Sequence, residues 1–252
     1  MKNAILSGIR QGALSRRCLL GAAFFALILL LASVSSLMDA FQTEPVAGFH
    51  GKLICDAMES DAAHFFVPIL STLPFAARYV EEIKSKYARS LLYRSSRAAY
   101  LAGKIAACFT SGGLVLVLGI LIAYALAAIM LIPMEAPLPK NTEPTNWFQI
   151  LLPSLGLYYL SGGLWALVGM TASAWMESRY IAYAAPFVLY YVLIMLYERY
   201  FPTFYVLDPR AWLLPSPRWI GEGLGEALLV MELSVVSALI FSLRAGRRLM
   251  EI

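Results

Sequence analysis

The chain has 252 residues, of which 60% are hydrophobic and 14% are charged, and its mean hydropathy is +0.69. Soluble domains usually have about 45–50% apolar and about 25% charged residues, so this composition excludes a soluble globular enzyme and a disordered or fibrous protein. A membrane-spanning helix needs about 20 apolar residues, so the length allows six spans with short loops. The net charge of +4 becomes informative only when the basic residues are sorted by side of the membrane.

The N-terminal segment 1–17 has apolar residues at helical spacing among basic ones, which predicts a helix lying in the membrane interface. The charge-free apolar run 18–38 follows and is long enough to span. Basic residues before an apolar core are also typical of a signal peptide, and SRRCLL at 15–20 has features of a twin-arginine signal. Both signals have a shorter core and precede a soluble protein, so a retained membrane anchor is favoured.

Five further apolar segments predict spans, at about 62–77, 105–132, 148–174, 181–196 and 224–243. The second span is short and contains two prolines, which spanning helices tolerate where neighbouring groups satisfy the freed carbonyls. We interpret 39–63, with five acidic residues and one lysine, as a polar loop. The segment 197–223 contains four prolines but is too apolar for a free loop.

The basic residues indicate how the chain is oriented. With a cytoplasmic N-terminus, the predicted inner segments carry 15 of the 20 Lys and Arg residues, and the outer loops carry 5. Short loops rich in Lys and Arg stay on the cytoplasmic side. We therefore predict an all-α, multi-pass integral membrane protein with six spans and both termini in the cytoplasm.

Few residues are candidates for catalysis or metal binding, and we assign none to either role. The chain has two histidines and no HExxH motif, and Cys18, Cys55 and Cys108 have neither disulfide nor zinc spacing. The Ser-Gly-Gly triplets at 111–113 and 161–163 look like nucleophile turns only superficially. In spanning helices, such small residues favour close helix packing.

The sequence has no GxxxxGK[ST] loop, so the chain by itself is not expected to bind ATP through such a loop. The pair Glu81 and Glu82 is similar to the glutamate pair of intramembrane CAAX-type proteases. That family also needs intramembrane histidines further along the chain, and no histidine follows His64. We therefore expect a chain that is not an enzyme, has no cofactor of its own and does not bind nucleic acid.

The segment 78–104 is the most informative part of the sequence. Its first part, 78–87, alternates apolar and charged residues at helical spacing, and a basic helical stretch follows. An ordinary positive-inside loop on anionic lipid headgroups would explain the basic residues. It would not explain the acidic pair or the length of the helix-like sequence.

A pattern runs from the end of the second predicted span into the third, P-[FL]-x(5)-E-[ED]-x(2)-S-x-Y-x(3)-L-x-R-x(2)-R-x(2)-Y-x(3)-K. The matching residues are Pro74, Phe75, Glu81, Glu82, Ser85, Tyr87, Leu91 or Leu92, Arg94, Arg97, Tyr100 and Lys104. This segment resembles the loop after the second span of ABC-2 type transporter permeases, which often have glycine at or beside the position of Tyr87. The six-span layout with both ends inside is also similar to that family.

The resemblance implies the permease subunit of an ATP-driven exporter in the bacterial plasma membrane. Two permeases, identical or related, would pair in the lipid bilayer, and each would rest on a separate ABC ATPase that holds ATP and Mg. The substrate implied is hydrophobic or amphipathic, such as an antimicrobial peptide, a drug or a lipid-like molecule. Short re-entrant helices in 197–223 would plug the outer side.

The resemblance also implies a coupling helix at about 78–87, seated in a groove of the ATPase. Tyr79, Val80 and Ile83 are expected to supply apolar contacts to that groove. Arg78, Glu81, Glu82 and Lys84 are expected to form its charged rim, and Tyr87, at the same helical spacing as the apolar residues, completes the expected coupling set. Lys104, with the arginines before it, is expected to anchor the following helix at headgroup depth.

Two carboxylates, Glu226 and Glu232, fall within the last predicted span. Ionisable groups inside a membrane are costly and often functional. Glu226 lies near the outer rim, where it is either solvated or functional. Glu232 is deeper, and serves a translocation path or a subunit seam, or is protonated or hydrogen-bonded to Ser234, Ser237 or another helix.

Two alternatives remain open. An ATPase-independent channel or scaffold would need no coupling helix, and changing Glu81 or Ile83 would then leave its function intact. An intramembrane enzyme would need polar side chains converging at one depth, and the sequence offers almost none.

Overall fold

The computed structural model describes residues 12, 15–42, 47–93, 96–136, 146–219, 221 and 223–250. Within these residues the regular elements are all helical, which confirms the all-α prediction. The α-helices are α1 (Arg16–Ala32), α2 (Val34–Gln42), α3 (Phe49–Met58), α4 (Asp61–Thr72), α5 (Arg78–Lys84), α6 (Tyr87–Leu92), α7 (Arg97–Leu131), α8 (Trp147–Met176), α9 (Arg179–Arg199) and α10 (Leu224–Arg248). The interfacial helix predicted at 1–17 falls almost entirely outside the described residues.

Four helices in the described part of the chain are long and apolar enough to cross a membrane. They are α7 with the 3-10 turn that follows it (Arg97–Met134), α8, α9 and α10. Each contains one of the last four predicted spans, so the chain is a multi-pass membrane protein. The first predicted span, 18–38, is divided between α1 and α2, which are separated by Ser33 alone. The count of six spans and the side on which each terminus lies stay predictions.

The second predicted span, about 62–77, contains the helix α4, which ends at Thr72. The segment 39–63, interpreted as a polar loop, contains the helix α3. Leu53, Ile54 and Met58 of α3 are buried in the main hydrophobic core. This helix was not predicted from the sequence, because its apolar residues form one face and charged residues interrupt the apolar run.

The helices α3 and α4 follow one path across the bundle. The start of α3 lies beside Glu135, just beyond the C-terminal end of α7. The end of α4 lies near the opposite end, where Thr72 packs close to Gly169 of α8. Between them, Ser60 caps α4 by accepting a hydrogen bond of 3.2 Å from the N–H of Ala63. The interruption is therefore an ordered helix break.

The helix α8 is central to the bundle and packs against α4, α7, α9 and α10. Its contact with α7 is close where the two Ser-Gly-Gly triplets meet. A Cβ atom built on Gly112 would lie 2.6 Å from the carbonyl oxygen of Gly162, and one built on Gly162 would lie 2.6 Å from the carbonyl oxygen of Gly112. The interpretation of these triplets as packing residues is confirmed.

The segment after α9 folds back into the bundle through two short 3-10 helices, Tyr205–Leu207 and Pro209–Trp212. Trp212 is buried, and its ring stacks on that of Trp165, with centroids 6.2 Å apart. Its carbonyl accepts a hydrogen bond of 3.5 Å from Ser161, which lies at the middle of α8. The prediction that this segment is not a free loop is confirmed.

Candidate functional site

The helix α5 lies at the end of the bundle where α8 passes into α9, and it contacts both of those helices. Its sequence suits a short helix, because Glu81 is in the first turn and Lys84 in the last, where each charge complements the helix dipole. The helix ends at Ser85, and Lys86 then adopts a left-handed conformation with φ of 60°. This turn leads the chain into α6.

One face of α5 is buried within the chain itself. Tyr79 is fully buried and packs edge to face on Phe241 of α10, with ring centroids 5.0 Å apart. Val80 is buried in the same cluster. Burial raises the pKa of Tyr79 to about 12. Tyr79 fills the core beneath α5 and therefore cannot enter a groove of a partner as predicted, whereas Val80 is buried but also lines the groove described below.

Glu82 is also buried, and it joins α5 to the start of α7. Its carboxylate pairs with Lys104, accepts a hydrogen bond of 2.8 Å from the hydroxyl of Tyr100, and lies 3.6 Å from Nε of Arg78. The expected rim position of Glu82 is wrong. The ammonium group of Lys104 is enclosed with Glu82 and lies 5.1 Å from the ring centroid of Phe75, so Lys104 holds α5 rather than extending towards lipid headgroups.

This buried cluster makes α5 a fixed extension of the spanning helices. A carboxylate and an ammonium group in a core stabilise each other only when their hydrogen-bonding capacity is satisfied. Here Tyr100 supplies the additional donor, and two aromatic rings lie near Lys104. Sequence reasoning missed this role, although Tyr100 and Lys104 are one helical turn apart and thus share a face of α7.

The remaining residues of the predicted coupling set form an accessible surface. Arg78, Lys84 and Tyr87 are exposed, whereas Glu81 and Ile83 are half-buried. A groove of about 580 Å³ lies beside them. Its lining residues are Val80, Glu81, Lys84, Ser85, Ser178, Arg179 and Tyr180. We call the exposed residues of α5 and this groove the α5 surface.

The turn between α8 and α9 is held to the end of α10. Glu177 ends α8 in a left-handed conformation, with φ of 54°, and its carboxylate lies 2.7 Å from the guanidinium of Arg248. The guanidinium of Arg244 stacks over Trp175, 5.3 Å from the ring centroid. Both sides of the groove at the α5 surface are therefore anchored, one through Glu82 and the other through Glu177.

The two predicted intramembrane carboxylates have different environments. Glu226 is fully buried, and one of its oxygens accepts a hydrogen bond of 2.9 Å from the N–H of Ser216, so its solvated alternative is excluded. Glu232 is exposed on α10 and makes no hydrogen bond or ion pair within the described part of the chain. Ser234 does not pair with it, because its hydroxyl donates to the carbonyl of Val230.

A second acid–base cluster, missed from the sequence, lies at the opposite end of the bundle. Glu135 accepts hydrogen bonds from the N–H groups of Gly48 and His50, at 2.8 and 2.9 Å, and lies 2.7 Å from Nδ1 of the His50 ring. The hydroxyl of Tyr124 lies 3.4 Å from Nε2 of the same ring. Glu135 thus caps the N-terminus of α3 from another part of the chain.

No model of a protein family matches this sequence, and a search of curated proteins finds no match either. The structure itself indicates a multi-pass membrane protein, because the regular elements of the described residues are all helical and four of these helices are suited to crossing a membrane. Among the described residues, no three His, Cys, Asp or Glu side chains are grouped as a metal site requires. The α5 surface is an accessible groove with the charged residues Glu81, Lys84 and Arg179 in its lining.

Proposed function

We propose that this chain is the permease subunit of an ATP-driven ABC-2 type exporter in a bacterial plasma membrane. Separate ABC ATPase subunits would bind ATP and Mg, and a second permease, identical or related, would complete the pathway. The substrate would be hydrophobic or amphipathic. ATP hydrolysis would occur on the ATPase subunits, and this chain would transmit their motion to its spanning helices rather than catalyse a reaction.

The observation that carries the proposal is the attachment of α5. A helix that transmits force must be accessible on one face and firmly joined to spanning helices on the other. The buried face of α5 meets α7 through Glu82 and Lys104, and meets α10 through Tyr79 and Phe241. A push on its exposed face would therefore reach two helices that are long enough to span.

The structure changes which residues we assign to the partner. Tyr79 and Glu82 serve as internal anchors, so the contact with an ATPase would use the α5 surface. Lys84 and Arg179 lie on either side of the groove, and Glu81 supplies an opposite charge beside Lys84. Charges at the rim of a binding site chiefly favour the correct partner and speed association.

Glu232 supports pairing with a second permease. Its neighbours along the same face of α10, Leu228, Val235 and Leu239, are all more than half exposed. A charged group facing lipid at this position would be costly, whereas a subunit seam or a polar path would supply partners for it. This matches one of the two functional roles expected for Glu232.

The test is co-purification of the full-length chain with ABC ATPases encoded beside its gene. We expect the wild type to retain an ATPase in detergent, and Lys84→Glu to reduce the recovered ATPase severalfold. Arg218→Glu is the matched control, because Arg218 is an exposed arginine outside the α5 surface. It should leave the recovery unchanged, and both variants should give monodisperse protein.

Recovery of no ATPase by a folded wild type would contradict the proposal and favour a channel or scaffold. Equal recovery with both charge reversals would reject the α5 surface as the contact. Product formation by the purified chain alone would instead favour an intramembrane enzyme. A half-buried position such as Ile83 is less useful here, because its substitution would also disturb the packing beneath α5.

A further inference from the structure

A second groove, of about 640 Å³, lies on the side of the bundle between α1, α4 and α9. It is lined by one face of α1 and one face of α4, each with residues spaced three and four apart. The two stripes are Arg17, Leu20, Gly21 and Phe24 on α1, and Phe66, Ile69, Leu70 and Leu73 along and just after α4. Residues at this spacing share one face of a helix, so the groove runs along the two helices.

The groove is apolar along its length and has polar groups at one end. Its far end is closed by Phe24 and Phe66, whose rings meet edge to face at 5.8 Å. Its near end has the guanidinium of Arg17 and the half-buried side chain of Tyr183, near the start of α9. From Arg17 to Phe24 the groove extends for about 10 Å, at about 1.5 Å per residue.

Arg17 is available to a ligand at this end. It is exposed, and the salt bridges within the described part of the chain do not include it. It precedes the apolar run of α1, which places its charge at headgroup depth when α1 enters a bilayer. The volume of this groove is within the usual range for small-molecule sites, about 300–1,000 Å³.

We propose that this groove binds an anionic phospholipid, with an acyl chain between α1 and α4 and the phosphate at Arg17. Leu20 is 71% exposed and Phe24 is 46% exposed, so the bound chain would cover apolar surface on both. The guanidinium can donate two hydrogen bonds to phosphate oxygens, and the hydroxyl of Tyr183 can add a third. The site requires only that α1 lies in a membrane, and it does not depend on the proposed transporter function.

The test is native mass spectrometry of the full-length protein with phosphatidylglycerol or phosphatidylcholine carrying the same acyl chains. We expect the wild type to retain phosphatidylglycerol preferentially, and Arg17→Gln to weaken its retention about fivefold. Arg17→Lys should restore most of the preference. Arg16→Gln is the matched control, since Arg16 is an exposed neighbour with the same charge that does not line the groove.

A second pair of variants tests the apolar channel. Leu20→Trp fills the groove from an exposed position and should lower retention of both lipids. Leu19→Trp is its control, because Leu19 is 55% exposed but lies outside the groove. The folding of every variant is checked by size-exclusion chromatography and thermal unfolding.

Three results would overturn the proposal. Equal effects of Arg16→Gln and Arg17→Gln would mean diffuse attraction of anionic lipid to basic residues. Equal retention of the two lipids by the wild type would remove the role of the phosphate. A change in oligomeric state on Leu20→Trp, without a change in bound lipid, would assign the groove to a second copy of the chain.

Discussion

At each end of the bundle an acid–base pair joins a short helix to α7, and the two pairs differ in what holds the carboxylate. Glu82 is held by side chains, chiefly the ammonium of Lys104 and the hydroxyl of Tyr100. Glu135 is held largely by the backbone, through N–H groups at the start of α3. The first carboxylate faces a full opposite charge in the core, whereas the second also stabilises a helix terminus.

The difference indicates how each junction fails. Removing one member of a buried charge pair leaves the other without compensation, which is strongly destabilising. Removing a carboxylate that caps a helix leaves backbone N–H groups without an acceptor, rather than an ammonium group without a counter-charge, and an unpaired neutral group costs less than an unpaired charge. We therefore expect the loss of Glu82 to lower the free energy of unfolding more than the loss of Glu135 does.

The strongest way to break this comparison is Glu82→Ala. We expect it to lower the free energy of unfolding by about 3–5 kcal/mol, because Lys104 stays buried without a counter-charge. The matched control is Glu81→Ala, at the neighbouring and more accessible position, which should change stability by no more than about 0.5 kcal/mol. Equilibrium unfolding in mixed detergent micelles measures both.

The double variant Glu82→Leu with Lys104→Met sharpens this prediction. Replacing both charges by apolar side chains of similar size should recover most of the lost stability. A double variant as unstable as Glu82→Ala would show that the network with Tyr100, rather than the unpaired charge, carries the cost.

The contact between α7 and α8, which connects the two junctions, gives the next largest effect. Gly112→Ala should destabilise by about 1–3 kcal/mol, since its new Cβ would lie 2.6 Å from the carbonyl oxygen of Gly162. Gly156→Ala is the control within a spanning helix, because no atom from outside its own stretch of helix backbone lies within 4 Å of a Cβ built there. It should be neutral or stabilising by up to about 1 kcal/mol. Thermal unfolding in one detergent compares the two, and equal losses would contradict the close contact.

The long helices were predictable from the sequence, because continuous apolar runs define α7, α8, α9 and α10 without reference to their neighbours. The helix α3 was not, because its polar residues break the run and its burial depends on a distant partner. That partner is Trp147 of α8, whose side chain occupies the space that a Cβ on Gly48 or Gly51 would need. Only the folded chain brings these residues together.

The same limit applies to the candidate site. The amphipathic pattern of 78–87 predicted a helix at this place, and α5 lies within it. It did not indicate which face was internal, because a tyrosine and a valine suit a partner's groove as well as they suit the chain's own core. The pairing of Glu82 with Lys104 fixes the orientation of α5, and the two residues are far apart in the sequence. A charged residue assigned to a rim from its type alone can thus be an internal anchor.

The smallest effect is expected at the α3 junction, and it depends on pH. Burial alone would raise the pKa of Glu135, but hydrogen bonds from the backbone of His50 and Gly48 and from the His50 ring outweigh burial and lower it. A carboxyl group whose pKa is lower in the folded state stabilises the fold above its ordinary value of about 4.3, and this stabilisation is lost as the pH falls through the folded value. Glu135→Gln should therefore cost about 1–2 kcal/mol at neutral pH.

The decisive comparison is the pH dependence of this cost. Unfolding free energies of the wild type and Glu135→Gln should differ by a constant amount at neutral pH and converge once the pH falls below about 4. Asp56→Asn, on the exposed face of the same helix, should change stability by no more than about 0.5 kcal/mol. If the two curves stayed parallel down to pH 3, the charge of Glu135 would not be what holds α3. The N–H groups of α3 would then need only a neutral acceptor, whereas Glu82 and Lys104 depend on being charged.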